Sequence, residues 1–298
     1  MTALMIGWFA VTLVGVAWLA YDIYTHTPAM KLMKPGWILT AMYTGPVGVA
    51  AYLLTCRQPA ATGDPGGRSR YDMHDAFIRP LWRQAMGSLV HCLAGDATGV
   101  IFAATFASLL GVAGMADAAL EYAMGFIFGL FIFQALFMRS MFGGYWPAVR
   151  KTVYVEWVSM NWVMAGMIPV VMLGKSLLPG AEHPASLGYW FVMQLGAIVG
   201  LLLGYPINYW LVGNGLKHGM MTDRPEEKHA EDQHQHMHEH EHNHAGGHSG
   251  HAMHAHMDHG HMDHAAAQPS LARRAVVAAI SVAALAAGVG AGMALMPG

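Results

Sequence analysis

Apolar positions along the chain gather into long blocks with short polar breaks. About 20 apolar residues is the length that crosses a hydrocarbon core as a helix. Seven blocks qualify, at roughly 3–23, 36–54, 83–110, 118–138, 157–173, 188–213 and 274–296. The third and sixth exceed that length, which leaves room for tilt or for projection beyond the bilayer. The seventh is the least hydrophobic, being rich in Ala and Gly, but Gly288 and Gly292 stand at a small-xxx-small spacing that lets a neighbouring helix approach closely. No Lys or Arg precedes the first block and no A-x-A cleavage site follows it, so it reads as a retained span rather than a signal peptide. The predicted fold is an all-α membrane protein, a bundle of about seven transmembrane helices. Residues 1–222 form a six-helix core, 223–270 a long loop and 271–298 a C-terminal transmembrane helix. Residues 55–76 read as a Pro/Gly/Arg-rich linker, and no internal repeat points to the inverted-repeat design of many secondary transporters.

Composition agrees with a chain whose solvent is largely lipid: 55% of the 298 residues are hydrophobic and only 11% are Asp, Glu, Lys or Arg, against about a quarter charged in soluble domains. A formal net charge of −2 gives no reason to invoke nucleic acid. The two cysteines, Cys56 and Cys92, are too few for a disulfide framework and are not expected to pair. With seven spans and the N-terminus inside, 13 Lys and Arg fall in cytoplasmic loops and only Lys31, Lys34 and Lys175 outside. The positive-inside rule then places the N-terminus and the long loop in the cytoplasm, in a bacterial inner membrane.

That loop carries the plainest chemical signal. Between His229 and His264 lie 14 His in 36 residues, with no Lys or Arg. His234, His236, His238, His240, His242 and His244 alternate strictly with other residues. His248, His251, His254, His256, His259, His261 and His264 are interleaved with Met253, Met257 and Met262. Neutral imidazole is the commonest protein metal ligand, and Glu231, Asp232, Glu239, Glu241, Asp258 and Asp263 add charge that attracts cations. Without an apolar core the tract is expected to be disordered in the absence of metal. Imidazole suits zinc, nickel and copper, and the added thioethers favour copper as Cu(I). Binding alone does not distinguish transport from buffering or sensing.

Ionisable and sulfur-bearing side chains inside the spans supply the second signal, because polar groups at membrane depth are costly and mark function. In the third block Cys92 and Asp96 are four residues apart and share a helical face, with His91 about 100° round from Cys92. A purely structural role competes: His91 and Asp96 as interhelical hydrogen bonders, Cys92 as a small hydrophobe. Gln134 and Met138 lie toward the inner end of the fourth block, which carries Glu121 near its outer end. The fifth begins at Glu156 and presents Met160, Met164 and Met167 as a stripe with Asn161 beside it, a pattern that also serves as adaptable packing. Asn208 lies in the sixth, and His218 just beyond it. Alternating directions put His91, Cys92, Gln134, Met138, Met160, Asn161 and Asn208 in the cytoplasmic half and Asp96 and Met164 near the centre. The expected result is a polar, sulfur-lined cavity opening toward the His-rich loop.

Several stretches together resemble domain-of-unknown-function family 4396, found in bacterial membrane proteins. They are Tyr43-Thr44-Gly45-Pro46, His91-Cys92 through Asp96-Ala97-Thr98-Gly99, Gly129 through Met138, Met164-Ala165-Gly166-Met167, and Gly215-Leu216-Lys217-His218-Gly219-Met220-Met221-Thr222. The resemblance spans roughly residues 30–222. It implies a polytopic membrane protein and no established reaction, and it adds an expectation of copper handling.

These readings converge on transition-metal transport or homeostasis, copper first and zinc or nickel next. A metal chaperone and a second copy of the chain are candidate partners beside lipid and metal ions. An accessory or sensor protein whose loop buffers metal, and a metal or haem membrane oxidoreductase, are the alternatives. No nucleotide-binding signature or hydrolase arrangement stands out, so a non-enzymatic role is expected, with any movement driven by an ion gradient or a partner.

Overall fold

The computed structural model describes residues 2–58, 69–112, 114–139, 141–224 and 268–295. All regular structure among them is helical. Long unbroken apolar runs form α1 (Thr2–Thr25), α5 (Leu81–Leu110), α7 (Tyr145–Leu177), α8 (Leu187–Gly213) and α9 (Leu271–Leu295). α6 runs from Met115–Ile127 through a π-helical segment, Phe128–Gln134, into Ala135–Met138. These six are long and apolar enough to cross a membrane. The shorter α2 (Met33–Thr44), α3 (Pro46–Thr55) and α4 (Arg70–Ile78) lie between α1 and α5.

The expected second span, 36–54, is instead a re-entrant pair of half-helices. Gly45 turns the chain between them with φ +60°, a conformation that favours glycine, and Trp8 and Thr12 of α1 press against it. α2 runs antiparallel to α1, and α3 runs back alongside it: Gly15 packs on Val49, Trp18 on Tyr52, and Arg57 reaches Asp22 at 2.8 Å. Twelve and ten residues span about 18 and 15 Å, half of a hydrocarbon core of about 30 Å. Non-helical backbone at such depth must be satisfied by protein. Gln194 of α8 does this, donating to the Met42 carbonyl at 2.7 Å while accepting from the Trp8 indole at 2.6 Å. The core over 1–222 therefore holds five spans and a re-entrant pair.

One consequence is that the termini move. α1 ends, α2 begins, α3 ends, α5 begins, α8 ends and α9 begins at the same end of the bundle. Residues 28–30, 56–58, 70–78 and 214–224 meet there. Residue 2 lies at the opposite end, so the N-terminus and the segment leading into the loop do not share a side. Thirteen of the fourteen Lys and Arg among the described residues sit at the first end, and Lys175 sits at the other. We call these the basic end and the far end.

Small residues bring the spans together, since lipid supplies no hydrophobic drive between helices and close van der Waals approach must serve. Gly196, Gly200 and Gly204 of α8 seat Val171, Met167 and Val163 of α7. Gly288 and Gly292 of α9 seat against Ala165 and Met172 of the same helix, as their spacing foretold. Gly95 and Gly99 of α5 meet Gly129 and Gly125 of α6. Large apolar side chains such as Leu13, Leu109 and Leu202 point outward, as a lipid-facing surface requires.

At the basic end, the strap after α8 (residues 214–224) is fastened to the rest. Met30 N donates to Met221 O, Asp223 N to Pro28 O, and Arg224 pairs with Asp72 and Asp75 of α4. His74 bridges Thr222 Oγ1 (2.8 Å) and Cys56 O (3.2 Å). Burial pushes the His74 pKa down to about 4, outweighing the opposing pull of the Cys56 carbonyl and Asp75. The unfolded or undocked state, with a pKa near 6.5, takes up the proton first. Docking is therefore pH-independent above about 6.5 and weakens as pH falls from there toward 4, by about 2–3 kcal/mol once the ring is charged. Amide exchange at Met30 and Asp223, the two donors of the docking bonds, corrected for intrinsic rates, should accelerate between pH 7 and pH 5 in wild type. It should lose that pH dependence in His74→Gln.

Candidate functional site

α5, α6, α7, α8 and the strap converge on one buried polar cluster. α7 begins at Tyr145, eleven residues before Glu156, so Glu156 lies deep in the bundle and is fully buried. Its Oε2 accepts from the Cys92 thiol (2.7 Å) and from Gln134 Nε2 (2.7 Å). Gln134 Nε2 also lies 3.1 Å from Cys92 Sγ. Lys217 reaches in from the strap and donates to Cys92 Sγ and to Asn208 Oδ1, both at 2.7 Å. Asn208 in turn donates to Ser159 Oγ at 2.8 Å.

The π-helical segment of α6 shapes this cluster. Its i→i+5 bonding carries an extra residue per turn, so Gly129 and Gln134, five apart, face the same neighbours. Gln134 supplies the amide. Gly129 supplies absence of a side chain, for a Cβ there would collide with Asp96 Oδ1 and lie 2.5 Å from Glu156 Oε1. The two carboxyl groups thus both press on the space left at Gly129. Two buried carboxyls, a thiol and an ammonium in an apolar helical bundle carry a desolvation cost that apolar side chains would avoid, which makes the cluster the candidate functional site.

A pocket at the basic end leads to it, lined by Ser88, His91, Gln134, Met138, Phe142, Lys151, Thr152, Val155, Leu216, Lys217 and His218. Its volume is about 20 Å³. That is room for a water molecule or a bare ion, and too little for an organic solute.

Of the residues singled out in the sequence, His91, Cys92, Asp96, Gln134 and Asn208 come together here, and Met138 and His218 line the approach. The methionine stripe does not join them. Met160, Met164 and Met167 are buried in the apolar core, Met160 against Gly125 and Met167 against Gly200, so they pack helices. Asn161 faces a separate group, accepting from Tyr122 (2.7 Å) and donating to Ser281 of α9 (3.1 Å). Glu121 pairs with Lys175 (3.7 Å), which also holds Asp117 (3.2 Å). Cys56 and Cys92 are both unpaired thiols, as expected. Among the described residues no three His, Cys, Asp or Glu form a ready-made metal shell. The cluster is a chain of hydrogen bonds with an ammonium in it. The tract from His229 to His264, with its methionines, lies outside the described residues.

In the sequence Glu156 stands at the start of an apolar block and Lys217 lies in a polar loop. The available signal for Glu156 was the breaker-free run from Ala148 to Trp157, which continues the helix past it. Nothing in the pattern pointed Lys217 inward.

Residues 81–217 match the family model described as Domain of unknown function (DUF4396), in agreement with the resemblance read from the motifs. The matched stretch begins with α5 and ends on Lys217, so it brackets the whole cluster. No curated protein and no solved structure matches the chain.

Proposed function

We propose that this chain, through its DUF4396 domain, moves a transition-metal cation across a bacterial inner membrane, copper first and zinc or nickel next. The observation that carries the reading is the Cys92–Glu156–Gln134–Asn208 cluster, with Asp96 behind it, at the foot of an ion-sized pocket. Thiol, carboxylate and amide oxygen are donors for soft and borderline cations. The pocket opens at the basic end, where the described chain enters and leaves the His/Met tract at Arg224 and Gln268. The positive-inside rule turns that end to the cytoplasm. Cations gathered by the tract would pass His218, Met138 and His91 to reach Cys92. A pocket of this size disfavours a metabolite substrate, and no chemical transformation is assigned to the site.

Flux into reconstituted vesicles, with copper, zinc and nickel in parallel, tests this against the buffering alternative. Cys92→Ser, Asp96→Asn and Glu156→Gln nearly conserve volume and should each lower flux at least tenfold with the tract intact. Deleting the tract should only weaken flux at low metal. The reverse pattern, with deletion severe and core changes mild, would make the chain a metal buffer. Wild-type vesicles that move none of the three metals would end the transport reading.

A further inference from the structure

We propose that the Lys217 ammonium is a tethered stand-in for the transported cation, filling the cation position of the Cys92–Glu156 site and yielding it when an external cation binds. The proposal rests on the transport reading and adds to it how the site is kept closed. Nζ sits 2.7 Å from Cys92 Sγ and 2.7 Å from Asn208 Oδ1, beside a Glu156 carboxylate bonded to the same sulfur. These are the donors a small soft or borderline cation would use, and the ammonium already holds the sulfur and the amide oxygen. Its burial is nearly complete, at 8% exposure.

How Lys217 arrives separates it from a fixed counter-ion. Cys92, Glu156 and Asn208 are carried by membrane-spanning helices, whereas Lys217 is carried by the strap. Gly215, at φ +65°, breaks α8 two residues earlier, and Leu216 N bonds back to Leu211 O. The ammonium enters from the basic end on a flexible four-carbon stem. It can withdraw without any span moving. Lys217, with its neighbours Leu216 and His218, also forms one wall of the pocket, while His91, Gln134 and Met138 form another. Retraction of this one side chain therefore joins pocket and site, and vacates the Cys92 sulfur and the Asn208 amide oxygen together. While Lys217 is in place, its positive charge faces the acidic groups of the site and the path from the pocket is shut.

The test uses full-length protein in a Cys56→Ala background, titrated with Ag⁺ alone as a monovalent soft probe and with Zn²⁺ alone as a divalent one. Ultraviolet thiolate-to-metal absorption then reports Cys92 only, because the His/Met tract has no thiol. Lys217→Gln removes the competing charge and should shift the Ag⁺ midpoint at least tenfold lower. Lys217→Arg keeps a cation in place and should suppress the signal at concentrations that saturate wild type. Equal midpoints in all three proteins, or no thiolate signal in any, would overturn the proposal. If Lys217→Gln cannot be purified folded, Lys217→Arg against wild type decides: suppression upholds the tethered cation and equality rejects it. The transport reading fails by a different result, wild-type vesicles that move none of the three metals, so the two failures are distinguishable.

Discussion

Replacing Gly129 by alanine is expected to lower the melting temperature by about 5–10 °C and to abolish metal flux in whatever protein remains folded. The new Cβ would overlap Asp96 Oδ1 and stand 2.5 Å from Glu156 Oε1. Neither oxygen can simply retreat, since α5 and α6 are already in backbone contact: a Cβ at Gly95 would lie 2.9 Å from Gly129 Cα. Overpacking of this kind costs about 1–3 kcal/mol, and each kcal/mol is worth roughly 2–4 °C in a domain of comparable size. The damage also falls on the site, because the methyl takes the space on which both carboxyls press. Gly290→Ala is the control. Nothing lies within 4 Å of a Cβ there, so helix propensity alone should leave stability equal or raise it by up to about 1 kcal/mol. Thermal unfolding followed by size-exclusion, with flux on the same samples, separates the two effects. A Gly129→Ala protein as stable and as active as wild type would mean that the carboxyls do not press on this glycine.

That prediction was out of reach of the sequence, although most of its parts were visible in it. Asp96 and Gln134 stood out because polar residues in an apolar block are rare. The close approach that unites them depends on Gly95 and Gly99 meeting Gly125 and Gly129, and on a π-helical turn that leaves no compositional mark. The six spans were legible from length and hydrophobicity alone. Block 36–54 has the same composition, yet it holds Gly45-Pro46, a pair that marks turns, and here the local break outweighs the apolar run. For Glu156, hydropathy set the start of the fifth block at residue 157, because Arg150 and Lys151 dilute the first turns of α7. The helix itself starts at Tyr145, and that offset moves Glu156 from a boundary into the interior. Met160, Met164 and Met167 show the opposite error: a ligand-like stripe whose neighbours are glycines and apolar side chains.

The re-entrant pair leads to the sharpest test of the fold, because it changes the side on which whole segments lie. Single cysteines placed in a cysteine-free background at Thr2, Leu32, Ser69 and Glu182, all exposed positions, can be labelled with an impermeant maleimide in sealed vesicles. If 33–55 crossed the membrane, Leu32→Cys and Ser69→Cys would label from opposite sides. In the structure Ala29 pairs with Thr222, and Asp72 and Asp75 hold Arg224, so residues 32 and 69 belong to one end. Both should label from the same side, and Thr2→Cys and Glu182→Cys from the other. The charge distribution gives the side expected for each end. Converting the second expected span to a re-entrant pair moves Lys31 and Lys34 to the basic end and leaves Lys175 as the one basic residue described at the far end. The positive-inside asymmetry is thereby strengthened. Leu32→Cys and Ser69→Cys should therefore be protected in right-side-out vesicles and label only after permeabilisation, while Thr2→Cys and Glu182→Cys label at once. Opposite labelling of Leu32→Cys and Ser69→Cys would restore 36–54 as a span. It would also detach the strap that carries Lys217 from the residues that now hold it, and with that the geometry of the site.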